Sequence, residues 1–398
     1  MTAEGASAGI RRRRRAKTKK DGSAAAANTL ERKKSTLRYK RFPIVPIGGF
    51  FLVGVSFFYY FYQKYGISAF IDRSVFDLKY SPAEWRDIMS NKTVLLIGGP
   101  HRGGTTILWK AIKAHPEISG FGTTRETGVD ESEGILLQDV YSRFGVGMEE
   151  IMKQSSQFRN KMIGVGRYAL ADESEVHLTE TDAKVTGENM AELLNRFGQY
   201  WNLSQPVLIE KSPQTITMSR FLQALYHAKD EGGSNSPITG GPEVKFLFIT
   251  RHPIANMMAH ENMVGKDSHL TYDMLMRNYI QMHKYLVEDL PLLHNDPMVI
   301  TLEEFAADPS QYLSNIYQWL GVDGSEDTVK NVLEEGLGTK IWPDPNDNYK
   351  KRWCGAEGAN DIMPAFKRDA IVQKYSRVFQ NELSKLGYDL KTWCDETK

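Results

Sequence analysis

Three stretches of the 398-residue chain combine small or hydroxylated residues with a fixed positive charge: Gly98-Gly99-Pro100-His101-Arg102-Gly103-Gly104-Thr105-Thr106, Glu210-Lys211-Ser212-Pro213 and Thr250-Arg251-His252-Pro253. Glycines let backbone amides curl around an anion, and the N-terminus of a following helix adds partial positive charge. Thr105 and Thr106 add hydroxyl donors. Such a set suits the binding and transfer of an anionic group. The spacing Gly99-x4-Gly104 is that of a Walker A loop, but Thr105 stands where that loop has its lysine. A nucleoside triphosphatase would lack its main γ-phosphate contact here. The basic residue comes earlier, at Arg102, which suits a shorter 5′ group with its transferable end beside that side chain. Arginine holds its proton too tightly to act as an acid, so Arg102 can only stabilise charge.

Each stretch follows a short apolar run: Val94 to Ile97, Val207 to Ile209, and Phe246 to Ile249. Met298-Val299-Ile300-Thr301 is a fourth. Apolar strands alternating with helical patterns predict an α/β fold with a P-loop-like parallel sheet flanked by helices. Ligand groups then gather at the C-terminal strand ends. Ser81-Pro82 signals a short helix containing Trp85. Asp308-Pro309 opens a helix that Gly321 stops, Ser325 opens another, and Ala365 to Leu386 reads as a long terminal helix closed by Gly387. Gly232 to Gly241 reads as a surface loop.

The run Pro100 to Thr106 resembles the 5′-phosphosulfate loop of sulfotransferases, whose donor is 3′-phosphoadenosine 5′-phosphosulfate (PAPS). Arginine at Arg102, and His115-Pro116 after the next helix, are similar to tyrosylprotein sulfotransferases. Gly128 to Tyr141, His177 to Glu180 and Tyr200 to Pro213 resemble bacterial and algal membrane-associated sulfotransferase-like proteins. The likeness spans roughly residues 93–323. It implies that Gly103, Gly104, Thr105 and Thr106 bind the donor, that Lys211 lies near the transferring sulfuryl group, and that Arg251 binds the 3′-phosphate. The serine the family usually places eight residues later is Ala259 here, followed by His260, so the hydroxyl contact is lost or His260 replaces it. Lys350, Lys351 and Arg352 stand where a C-terminal basic loop would cover the adenosine.

Sulfuryl transfer requires a general base and in-line approach of the acceptor oxygen. The glutamate of tyrosylprotein sulfotransferases falls on Gly122, so the base must lie elsewhere. Glu126 ranks first, Glu133 second and His101 third. No metal-ligand spacing occurs, and none is required.

Charge separates the chain into two parts. Residues 1–41 carry +11 and almost no large apolar residues, which predicts a disordered cytosolic tail. The rest carries −10, and the whole carries +1. This balance argues against nucleic-acid binding and gives no bulk attraction to acidic polysaccharides. Residues 42–63 are uncharged and would span about 33 Å as a helix, enough for a bilayer core. Their basic flank predicts a single-pass type II signal anchor with the C-terminal body across the membrane. The expected layout is tail 1–41, anchor 42–63, stem 64–90 and a lumenal domain 91–398, in the Golgi membrane or a related endomembrane. Asn91-Lys92-Thr93 and Asn202-Leu203-Ser204 are glycosylation sequons, and the two cysteines, Cys354 and Cys394, could pair in that compartment or remain buried thiols. The expected activity is transfer of sulfate from PAPS to a hydroxyl of a glycan, a protein tyrosine or a small molecule. A catalytically silent lumenal scaffold of the same fold and a P-loop nucleotide kinase or NTPase are the competing readings.

Overall fold

The computed structural model describes residues 79–142, 173–228, 241–264, 271–338, 344–356 and 359–395. All of them belong to the second of two units into which the chain divides, residues 65–398. The basic tail, the anchor run 42–63 and most of the loop 232–241 lie outside the described residues. Among the described residues no helix is long and apolar enough to cross a membrane.

A five-stranded, wholly parallel sheet forms the centre: β1 (Thr93–Gly98), β2 (Ile118–Gly120), β3 (Val207–Lys211), β4 (Glu243–Thr250) and β5 (Met298–Thr301). Its spatial order is β2-β3-β1-β4-β5. Ile97 pairs with Lys211, and Gly98 with Phe248, so β1 and β3 end within a residue of each other and β4 runs two residues further. β2 was not evident from the apolar runs; its three residues are held as a strand by pairing with β3.

Side chains alternate between the two faces of the sheet, and helices cover both. Val94, Leu96, Leu208, Phe246 and Phe248 pack on one side with α1 (Pro82–Met89), α3 (Gly187–Phe197) and α4 (Ser219–Tyr226). Leu95, Ile97, Ile209, Leu247 and Ile249 pack on the other with α2 (Thr105–Lys113), α7 (Pro309–Leu320) and α8 (Glu326–Leu337). A third apolar cluster joins α5 (Pro253–Val264), α6 (Tyr272–Asp289), α9 (Asp347–Cys354) and α10 (Ala365–Asn381).

The helix boundaries follow their capping chemistry. Ser81 and Glu84 form a reciprocal capping box at α1. Asp308 Oδ1 accepts from the Gln311 amide at 3.0 Å, and Gly321 ends α7 at φ 74°. α1 falls in the stretch read as stem, yet Trp85 and Met89 are fully buried in the main core, so the folded body takes in residues 82–89. The terminal helix is shorter than expected: α10 ends at Asn381, and a separate turn, Ser384–Leu386, precedes Gly387.

Cys354 and Cys394 are joined in a disulfide, so neither cysteine is free. The bond fixes the end of α9 to the last described segment, where Trp393 stacks on His252 at 4.2 Å. It closes a loop across a sequence separation of 40 residues. Loop closure of that length is worth about 4 kcal/mol. Cys394→Ser is therefore expected to lower the thermal unfolding midpoint by several degrees, and a reductant is expected to lower it for the wild type but not for the variant.

Candidate active site

The turn between β1 and α2 places the first basic group. Gly104 caps α2 with φ 106°, and a Cβ there would lie 2.8 Å from Leu302 Cδ1, so the close turn onto the helix requires glycine. Arg102 also has positive φ, 62°, which for a side-chain-bearing residue costs on the order of 1 kcal/mol. This conformation leaves the Arg102 side chain exposed at the mouth of the loop. The amides of Thr105 and Thr106 open α2, ahead of its internal hydrogen-bond ladder.

Lys211 ends β3 and has no solvent exposure. Its ammonium pairs with Glu133 Oε1 at 3.0 Å and donates to Thr106 Oγ1 at 3.3 Å. The second-ranked carboxylate and a threonine of the first turn of α2 thus meet on the lysine. Beside Lys211, burial pushes the Glu210 carboxyl up to about 7.

Arg251 follows β4 and is almost wholly buried. Its Nε donates to Asn346 Oδ1 at 2.9 Å, and its two terminal nitrogens donate to the carbonyls of Arg102 (3.0 Å) and Pro345 (2.6 Å). Tyr349 lies over the guanidinium, 5.0 Å from its ring centroid. Arg251, Asn262, Tyr349 and Arg352 help to line a cleft of about 410 Å³. Ala259 is buried. His260 Nδ1 donates to the Asn256 carbonyl at 3.1 Å, leaving a buried Nε2 with no partner among the described residues. Burial, with Arg102 and Arg251 nearby, pulls the His260 pKa down to about 4.

The remaining candidates occupy different positions. Glu126 closes a capping box on the one-turn helix Thr124–Thr127, where its Oε2 accepts from the Thr123 amide at 2.6 Å. It makes a helix cap rather than a contact with Lys211; the pattern Thr123-x-x-Glu126 is itself the sequence signal for that role. His101 Nε2 accepts from Gln214 Nε2 at 3.0 Å, which occupies its lone pair. Burial, then His260, Lys211 and Arg102, lower its pKa to about 3, making it a weak base. The expected basic loop Lys350-Lys351-Arg352 is not a loop but part of helix α9, stabilised by the Asp347–Lys351 pair at 2.7 Å and ended by Gly355 at φ 75°. Arg352 is bound to Glu261 and Asn262 of α5, each at 3.1 Å, and so ties the two helices together. Asn346 and Gln214 were not foreseen; their partners are 95 and 113 residues away in the chain.

Three cationic side chains at the ends of β1, β3 and β4, around one helix N-terminus, define an α/β domain built to hold an anionic ligand. The chain belongs to the sulfotransferase family, which matches residues 95–327. Similar solved structures include the sulfotransferase domain of the Synechococcus PCC 7002 olefin synthase (15% identity, 79% of this chain and 98% of that one, TM-score 0.39). A sulfotransferase from Alicyclobacillus acidocaldarius gives 14% identity over 75% and 97% of the two chains, with TM-score 0.39. A mouse sulfotransferase complexed with PAP gives 12% identity over 77% and 92%, with TM-score 0.36. None of the curated proteins matches this chain.

The Glu210 shift has a pH signature. Its folded pKa, about 7, lies above the ordinary value of 4.5, so the protonated form suits the fold. The stability this contributes is complete below pH 4.5 and is lost as pH rises towards 7. Relative to Glu210→Gln, the wild type is expected to weaken by roughly 3 kcal/mol across that window and to run parallel above it. Urea denaturation of both proteins from pH 4.5 to 8 measures this.

Proposed function

We propose that the chain transfers the sulfuryl group of PAPS to a hydroxyl acceptor, a glycan or a protein tyrosine. The observation that carries this reading is the convergence of Arg102, Lys211 and Arg251 on the N-terminus of α2 in a member of the sulfotransferase family. The residues present fit such a donor: α2 opens with bare amides, and the orphaned Nε2 of His260 is buried near Arg102 and Arg251. Among the described residues no cluster of His, Cys, Asp or Glu has the makings of a metal site.

PAPS supplies an activated sulfuryl group on its 5′ side. The Gly103 to Thr106 turn and Arg102 bind that end, while Arg251, Tyr349 and the adjoining cleft receive the 3′-phosphate and the nucleoside. Arg251 already spends its hydrogen bonds on Asn346 and two carbonyls, so binding a phosphate there means exchanging some of those partners. Lys211 stabilises charge developing on the bridging and equatorial oxygens. Glu133 takes the acceptor proton: of the three base candidates it is the one in contact with Lys211, at 3.0 Å. Its carboxylate stands beside Lys211 at the end of β3, where a base has to reach the acceptor hydroxyl.

The scaffold reading draws on the same Arg251 contacts and on Ala259, because both weaken the 3′-phosphate site. The two readings differ in whether bound donor is turned over. We place the protein in the Golgi or a related endomembrane as a type II protein; the uncharged run 42–63, its +11 flank and the disulfide support this.

The test incubates the full-length protein with PAPS and a panel of glycans, tyrosine peptides and small alcohols, and reads product mass for one added sulfuryl group. Lys211→Ala and Arg102→Ala are each expected to lower kcat at least a hundredfold. Arg251→Ala is expected to raise the donor KM at least tenfold. Donor binding without any product supports the scaffold, and full activity in both Lys211→Ala and Arg102→Ala overturns the site.

A further inference from the structure

Glu210, on β3, and Ser212, just after its end, flank Lys211, and the roles above leave both unused. Glu210 is 2% exposed, and its Oε1 accepts two hydrogen bonds: from the Gly134 amide at 2.9 Å and from the Ser212 hydroxyl at 2.5 Å. Ser212 Oγ in turn accepts from the Ile135 amide at 2.9 Å. The neighbouring contact is Glu133 Oε1 on Lys211 Nζ. Three consecutive side chains, 210 to 212, therefore hold three consecutive residues, 133 to 135, across a chain separation of more than 70 residues.

The fit is close enough to fix the residue type at the contact. A Cβ on Gly134 would stand 2.4 Å from Glu210 Oε1 and 2.6 Å from its Cγ. Any side chain there forces the 133–135 segment away from β3, and Glu133 moves with it. Behind the contact, Gln138 ties off the segment by donating to the carbonyls of Ile135 (3.1 Å) and Tyr141 (3.0 Å). A buried carboxyl is an expensive tether where apolar packing would serve, since its ionised form is disfavoured there. Directional acceptors do what an apolar contact cannot: Glu210 fixes the Gly134 amide, and Ser212, itself held by Glu210, fixes the Ile135 amide.

We infer that Glu210 and Ser212 are positioning residues for sulfuryl transfer, clamping Gly134 and Ile135 so that the Glu133 carboxylate is held against Lys211 and toward the acceptor hydroxyl. The inference rests on the reading of Glu133 as the base. It separates the residues that grip the donor, on β1 and β4, from those that align the acceptor side, on β3 and residues 133–135.

Two measurements on the full-length chain test it. The first is amide hydrogen exchange without any substrate. Glu210→Ala is expected to speed exchange at Gly134 and Ile135 at least tenfold, leaving β1 and β4 unchanged. Glu210→Gln, whose side-chain oxygen accepts the same bonds, is expected to stay within threefold of wild type. The second is steady-state kinetics with the acceptor found above. Glu210→Ala and Gly134→Ala are expected to lower kcat at least thirtyfold with the donor KM within threefold, and Glu210→Gln to restore most of the rate. If Glu210→Ala does not fold, Ser212→Ala decides, with an expected fivefold or greater fall in kcat at constant donor KM. Faster exchange with unchanged kcat overturns the inference alone, as does a fall in kcat matched by a rise in donor KM. A wild type that transfers nothing overturns the functional reading and the catalytic half of this one, while exchange still reports on the clamp.

Discussion

A lysine ammonium with no access to water must be compensated, and meeting that demand at Lys211 organises the centre of the molecule. The compensation comes from two directions, Glu133 and Thr106. Thr106 belongs to the first turn of α2, so β3 and the phosphate-loop helix must approach to hydrogen-bond distance. Glu133 lies in a segment far away in sequence that has to be brought over the end of β3 and kept there. The parallel sheet makes both possible. With β1 between β3 and β4, the three loops that carry charge leave the sheet side by side.

The arginine end of the site follows a different logic. Arg251 is buried, and among the described residues no carboxylate pairs with it directly; it is solvated by carbonyls and an amide oxygen. Glu303 stands one step behind, accepting from the His252 amide at 2.8 Å and from the Asn346 side chain. The negative charge is thus kept a residue away from the guanidinium. An arginine arranged in this way is held in place by its three hydrogen bonds while its charge is offset only at a distance.

Much of this was legible in the sequence because it is local. Val94 to Ile97 and Phe246 to Ile249 are strands in any context that buries both faces, and the glycine-rich turn after the first is its own signature. Asp308-Pro309 and Gly321 mark a helix whose ends are set within a few residues. What sequence could not supply was long-range. β2 is too short to stand out and exists through its neighbour β3. Glu126 ranked ahead of Glu133 as a base from the sequence; the fold places the first in a cap, which its Thr123-x-x-Glu126 pattern had signalled, and the second against Lys211. The cluster Lys350 to Arg352 looked like a solvated or ligand-covering loop because its charges are adjacent, whereas in a helix they point in different directions and Arg352 turns inward to Glu261.

The disulfide between Cys354 and Cys394 closes a ring that begins just after the helix bearing Tyr349 and ends beside Trp393. A single cut anywhere between the two cysteines would leave both pieces covalently joined. The segment carrying Trp393, which stacks on His252 at 4.2 Å, would stay attached to the rest of the chain through such a nick.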